Sequence, residues 1–284
     1  MASGKTRTKN NEPINTDEFE VIVGSWQDFL EQYAVKESQS EAQPCFIFRG
    51  QANADWGLMS SLMRAISGHS PESALDFEEA ARDEFVAQAH LYVGPSLLSS
   101  VPTKLHWWMH MQHFHAPTRL LDWSRSPFVA AYFACEQHPN DDGAVWALDV
   151  RLDDFSMPSC FKEVPTERDI KKLEQLFLNP EAPKKLCLIN MGIRNERMVA
   201  QQGLFMVCQN ASVQHHDVLC RAAKRNRTSK RFWKIRIGKD KKSEFFRHLR
   251  AMNINARSVY PGIDGLGQSI TEMARFDAFP DLHR

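Results

Sequence analysis

No stretch of this 284-residue sequence approaches the ~18 consecutive apolar residues that suggest a membrane-spanning helix. The polar start MASGKTRTKNNEPINTDE lacks the apolar core of a secretory signal and reads as a disordered tail over residues 1–18. A cytoplasmic location, away from membranes, is the expectation. The six cysteines (Cys45, Cys135, Cys160, Cys187, Cys208 and Cys220) include no CxxC pair and no short metal spacing, so reduced thiols are the simplest reading. GxGxxG after a strand, GxxxxGK[ST], GxSxG and HExxH are all missing, which leaves the familiar nucleotide, hydrolase and zinc-peptidase patterns without support. Net charge is also missing, because 35 basic and 35 acidic residues cancel. With no internal repeat and no long linker, residues 19–284 are read as one domain, long enough to bury a sizeable core.

What is present is hydrophobic patterning of two periods. FEVIV (residues 19–23), CFIFRG (45–50), TRLLDW (118–123), GAVWALDV (143–150), LCLINM (186–191), GLFMVCQ (203–209) and FWKIRI (232–237) read as strands. SWQDFLEQYAV behind Ser25, the span from Ser73 to Tyr92, Lys104 to Phe114 ended by Pro117, SPFVAAYFACEQ capped by Ser126, KSEFFRHLRAM and GLGQSITEMARF read as helices. His215 and His216 fall in what reads as a polar loop between GLFMVCQ and FWKIRI. Strands and helices mix without regular βαβ alternation, which predicts an α+β fold with mixed, mainly antiparallel sheets flanked by helices.

Three features invite a functional reading, each with a bland counterpart. LHWWMHMQHFHAPTRLLDW (residues 105–123) sets His106, His110 and His113 on one helical face, the minimum for a metal site. The same spacing arises in an amphipathic core helix, and without a ligand from a second element no metal is expected. Polar residues end several apolar runs: Arg49 after CFIF, Arg119 and Asp122 around two leucines, Ser124 and Ser126 before a helix, and Gln201-Gln202 before GLF. Such residues can line a cleft, or Arg49, Arg119 and Asp122 can form an internal ion-pair network. From Arg221 to Lys242 there are eleven Lys or Arg and one acid, Asp240. Phe232 and Trp233 within that run would suit base stacking, and a solvated charged face explains the run equally well.

FRG at residues 48–50, W-x-L-x-x-x-L-x-R from Trp56 to Arg64, QHFHAPTRLLDWSRSPFVAAYFA from Gln112 to Ala134, QQGLF from Gln201 and YPGIDGL from Tyr260 together resemble the FRG domain family. His115 stands where these domains often carry Gly. A weaker resemblance is to ADP-ribosyltransferases of the arginine-serine-glutamate type, whose first strand ends in Arg-Gly and whose Ser-Thr-Ser strand precedes an alanine-rich helix. FRG and LLDWSRSPFVAAYFA are similar to those two elements, whereas RMVAQQGLF has Gln201 or Gln202 in place of the catalytic glutamate.

That second resemblance implies a split sheet and NAD as co-substrate. It implies cofactor binding by Arg49, Gly50, His113, Thr118, Arg119, Trp123 and Ser124, and catalysis by Asp122 and Gln201. Arg49 would take the phosphates, Trp123 or Phe128 would give the nicotinamide a floor, and Asp122 or Glu196 would supply the charge that Gln201 lacks. It further implies a nucleic acid or protein acceptor and an inhibitory partner protein, as for a bacterial toxin or phage-defence effector. A nucleotide-binding module without chemistry and a nucleic-acid binder working through the basic run remain the alternatives.

Overall fold

The computed structural model describes residues 19–38, 46–67, 73–94, 103–150, 167–189, 195–225 and 231–275. The tail read over residues 1–18, together with Cys45 and Cys160, lies outside them. Strands form where the sequence alternates: β1 (Glu20–Val23), β2 (Phe46–Gln51), β3 (Leu120–Ser124), β4 (Gly143–Asp149), β5 (Leu186–Ile189), β6 (Gly203–Cys208) and β7 (Phe232–Ile237). They make one sheet in the order β1-β7-β4-β2-β3-β6-β5. Only β1 and β7 run parallel; the other neighbours are antiparallel, giving the expected α+β architecture. Among the described residues no helix is long and apolar enough to cross a membrane.

Strand periodicity sends alternate residues to two cores. One face carries Ile47, Leu121, Trp123, Trp146, Leu148, Leu204 and Met206, and the helix His215–Arg225 packs on it through Val218, Leu219, Ala222 and Ala223. The opposite face divides in two. Over β1, β7, β4 and β2 lie the helices Trp26–Ser38, Pro127–Cys135 and Lys242–Ala251; over β3, β6 and β5 lie Lys104–His113, Glu167–Phe177 and Glu196–Ala200. The sheet is weakest under that division. β2 and β4 are in register over six residues and β3 and β6 over five, but β2 and β3 share the single pair Phe48 and Ser124.

Local chemistry fixes the helix beside this seam. The hydroxyl of Ser126 accepts from the amide of Val129 at 3.2 Å, and Pro127 fits the first turn. Two glycines then let Pro127–Cys135 lie directly on the sheet. A Cβ on Gly50 would stand 1.9 Å from the Ala130 carbonyl oxygen, and one on Gly143 would stand 2.2 Å from that of Ala134. Gly50, read from the sequence as cofactor-binding, also makes room for this helix.

Two expectations for the basic run fail. His215–Arg225 is a helix rather than a polar loop, with His215 buried. Phe232 and Trp233 are 0% and 2% exposed, since β7 lies inside the sheet and both its faces are covered. They offer no stacking surface. Three of the cations that follow are also engaged: Lys234 with Glu20 at 2.6 Å, Arg236 with Glu20, Asp55 and Asp142, and Lys242 with three backbone carbonyls. Cys135, Cys187, Cys208 and Cys220 are buried free thiols, in keeping with the reduced state expected of them.

Burial lowers the pKa of His215 to about 3, with Arg49 and Arg119 nearby adding to the effect. The unfolded imidazole titrates near about 6.5, so between those values the unfolded chain binds a proton that the folded chain does not. Stability therefore rises with pH through this window, by about 1.4 kcal/mol per unit from this group. Denaturant unfolding of the wild type and of His215→Leu at pH 5, 6 and 7 should show a steeper loss on acidification in the wild type. Equal slopes would contradict this assignment.

Candidate functional site

Where β2 and β3 part, a cavity of about 440 Å³ opens between the two helix groups. Its size is that of an ordinary small-molecule site. Phe48, Arg49 and Gly50 come from β2, Asp122, Trp123 and Ser124 from β3, and Met109, Gln112 and His113 from the helix Lys104–His113. Ala130 and Phe133 close one wall, and Asn195, Arg197, Met198, Gln201 and Phe205 close the other. Ser61 and Arg64 lie at the remaining side, with the turn at His115 and Ala116. That turn holds His115 at φ +64°, a left-handed conformation that explains why glycine suits the position.

Alternation sets Arg49 with Ile47 and Gln51, and its guanidinium turns into the seam. There Nη1 donates to the Asp122 carbonyl oxygen at 2.6 Å and lies 3.9 Å from the Asp122 carboxylate. Desolvation lowers the Arg49 pKa, Asp122 raises it and Arg64 lowers it again; the group stays cationic. Its buried Nε has no hydrogen-bond partner. The Asp122 carboxylate is about half exposed and accepts from Gln112 Nε2 at 2.8 Å. Arg64 gives one Nη1 bond to the Met59 carbonyl, and Arg197 lies over the Tyr260 ring at 4.9 Å. Burial, followed by Arg197, His110 and His115, lowers the His113 pKa against the pull of Asp264, which favours a neutral imidazole at pH 7.

Arg49, Gly50, His113, Asp122, Ser124 and Gln201 thus meet at the cavity; Trp123, also in its lining, is 2% exposed and packs in the core of the opposite sheet face. Thr118 and Arg119 are not in that lining. Arg119 is 1% exposed and pairs with the fully buried Glu78, while Nη1 donates to the carbonyls of Phe177 and Gln209, both at 3.0 Å. Its guanidinium also lies 4.9 Å from the centre of the Trp108 ring. Arg119 is a core anchor because Glu78, distant in sequence, supplies the charge that makes its burial tolerable. Thr118 is 0% exposed and gives its hydroxyl to Gln112.

Ser124 and Gln201 line the cavity and also bond within the protein. Ser124 Oγ donates to the Gln201 carbonyl at 2.7 Å, and Gln201 Nε2 donates to the Val259 carbonyl at 3.2 Å. Phe128 packs with Trp26 instead of lining the cavity, and Phe133 takes the wall position. Glu196 is exposed and outside the lining, which leaves Asp122 as the carboxylate of the cleft among the described residues. The histidines separate by role: His106 is held by Thr103 Oγ1 at 2.6 Å, and only His113 of the three expected on one helical face reaches the cavity. Among the described residues no group of three or more His, Cys, Asp or Glu side chains is placed to hold a metal ion.

Sequence reasoning assigned no role to Gln112, Arg64, Asn195 or Arg197. Gln112 and Arg64 did stand inside the recurring motifs, at the start of QHF and the end of W-x-L-x-x-x-L-x-R, and that was their signal. The FRG domain family model matches residues 44–143, which include Arg49, Arg64, Gln112, His113 and Asp122 but not Arg197 or Gln201. No curated protein and no solved structure matches the chain.

The two arginines should respond differently to substitution. Arg119→Met leaves Glu78 buried without its partner and should cost about 3–5 kcal/mol. Arg49→Lys keeps the charge at the seam and should cost about 1 kcal/mol or less. Urea denaturation of both variants tests this, and the opposite ranking would exchange their roles.

Proposed function

We propose that this chain, which the FRG domain model matches over residues 44–143, is an ADP-ribosyltransferase-like enzyme whose cleft binds NAD as co-substrate. The observation that carries the reading is the lining of the cleft: three arginines, Arg49, Arg64 and Arg197, around one carboxylate, Asp122. Planar guanidinium forks suit the two phosphates of a dinucleotide. Arg64 is close enough to disfavour the charge of Arg49, a cost that a bound anion would relieve.

Transfer from NAD breaks the bond between ribose C1′ and the nicotinamide nitrogen. The bonding electrons leave with nicotinamide, which departs neutral, and the ribose becomes oxocarbenium-like. Asp122 supplies a negative charge to stabilise that state. Gln201 cannot do so, because a neutral amide offers only hydrogen bonds and its Nε2 is already held by Val259. A nucleophile then attacks C1′ and gives up its proton to solvent water. If the nucleophile belongs to a macromolecule, protein or nucleic acid, the product is a conjugate; if it is water, the product is free ADP-ribose.

A second reading, a nucleotide-binding module without turnover, is favoured by the glutamine at position 201. Basic residues and aromatics of the run after Arg221 lend little to a nucleic-acid reading, since Phe232, Trp233 and Lys234 are buried.

Incubation with NAD labelled in the adenosine part, in the presence of cell protein and RNA, separates these outcomes. Release of nicotinamide with label on an acceptor is expected. Asp122→Asn should lower kcat by about 100-fold or more while NAD still binds, and Arg49→Lys should weaken binding itself. Binding without release would select the module, and absence of NAD binding would overturn the dinucleotide reading.

A further inference from the structure

Thr118, Gln112 and Asp122 form a chain of hydrogen bonds that leads from the core to the cleft. Thr118 is fully buried and does not line the cavity. Its backbone is fixed to the helix Ser61–Ala65: the amide donates to Ser61 Oγ at 3.0 Å, and the carbonyl accepts from the Leu62 amide at 2.9 Å. From this anchored position Thr118 Oγ1 donates to Gln112 Oε1 at 2.6 Å, with Ser61 Oγ approaching the same oxygen at 3.5 Å.

A carboxamide can turn end for end, presenting either oxygen or NH2. Here the Asp122 carboxylate, which only accepts, takes the NH2 end, and the Thr118 hydroxyl, which accepts from the Leu120 amide at 3.3 Å and keeps its proton for Gln112, anchors the oxygen end. The NH2 group is directed at Asp122, where Nε2 donates to Oδ2 at 2.8 Å. Arg49 Nη1, at 3.9 Å, is too far to share the work of orienting this carboxylate by a hydrogen bond. Asp122 is otherwise a half-exposed side chain with freedom to turn.

We propose that Thr118 is a positioning residue that acts through Gln112: it sets the amide so that one Asp122 oxygen is held and the other is left for the occupant of the cleft. The inference rests on the reading of Asp122 as the working carboxylate. It also gives the Thr of PTRLLDW a task that requires a hydroxyl on a β-carbon, within a site it never touches.

The test uses Thr118→Val, which keeps the shape and removes both the donor to Gln112 and the acceptor of the Leu120 amide, and Thr118→Ser, which keeps both. With NAD as substrate and nicotinamide release as the assay, Thr118→Val should lower kcat about 10- to 100-fold with KM near that of the wild type, and with a lower melting temperature because the Leu120 amide loses its partner. Thr118→Ser should recover turnover to within about threefold of the wild type. Unchanged kcat in Thr118→Val, a loss confined to KM, or a serine variant as impaired as the valine variant would overturn the proposal. A wild type that releases no nicotinamide removes the NAD reading instead, and the relay is then judged by the side-chain amide resonances of Gln112. A distinct, exchange-protected pair in the wild type that moves to the free-glutamine position in Thr118→Val supports the relay. The same position in both proteins overturns it.

Discussion

The bond from Arg49 Nη1 to the Asp122 carbonyl stands where β2 and β3 stop pairing. A strand that leaves its neighbour strands its backbone groups, which then need partners from elsewhere. The guanidinium supplies such a partner from a side chain, so the sheet can part without leaving the Asp122 carbonyl unsatisfied. From this follow the division of the helices into two groups on one face, the space between them, and the convergence of β2 and β3 residues around it. Placing a cation in the gap also sets the sign of the cleft before any other residue contributes.

Arg49 and Arg119 begin from the same chemistry and end in different roles because of what surrounds them. Arg119 has a carboxylate, two carbonyls and an aromatic face, and its charge is consumed within the protein. Arg49 has one carbonyl, a carboxylate beyond hydrogen-bond reach and a second arginine nearby. A buried cation with incomplete compensation is costly to hold in a folded protein, and such sites cluster where ligands bind. The cleft therefore carries a positive charge that the core has not neutralised.

All seven strands were legible in the sequence because each is short, branched or aromatic and bounded by turns. The helix His215–Arg225 was not, since its apolar face consists of a histidine, alanines and two larger residues, too weak a signature between polar neighbours. Its face nevertheless follows helical spacing at His215, Val218, Leu219, Ala222 and Ala223. Charge was misleading for a related reason. Lys234 and Arg236 look solvated until Glu20, Asp55 and Asp142 arrive from distant parts of the chain. End-of-strand polarity singled out Arg49 and Asp122, which line the cleft, but could not separate them from Arg119, whose fate depends on Glu78. Partners far apart in sequence decide such cases, and local pattern carries no record of them.

Lys242 shows how this fold closes a corner. The residue is 2% exposed, and its ammonium is held by the carbonyls of Ala52, Gln137 and His138 at 2.7, 3.0 and 2.9 Å. Three carbonyl oxygens converging on one positive centre resemble the coordination shell of an alkali-metal ion, with the ion replaced by the end of a side chain. An ion so tethered cannot be exchanged or diluted away. The junction between the end of β2 and the turn after Pro127–Cys135 is therefore closed from within, whatever the ionic composition of the medium around it.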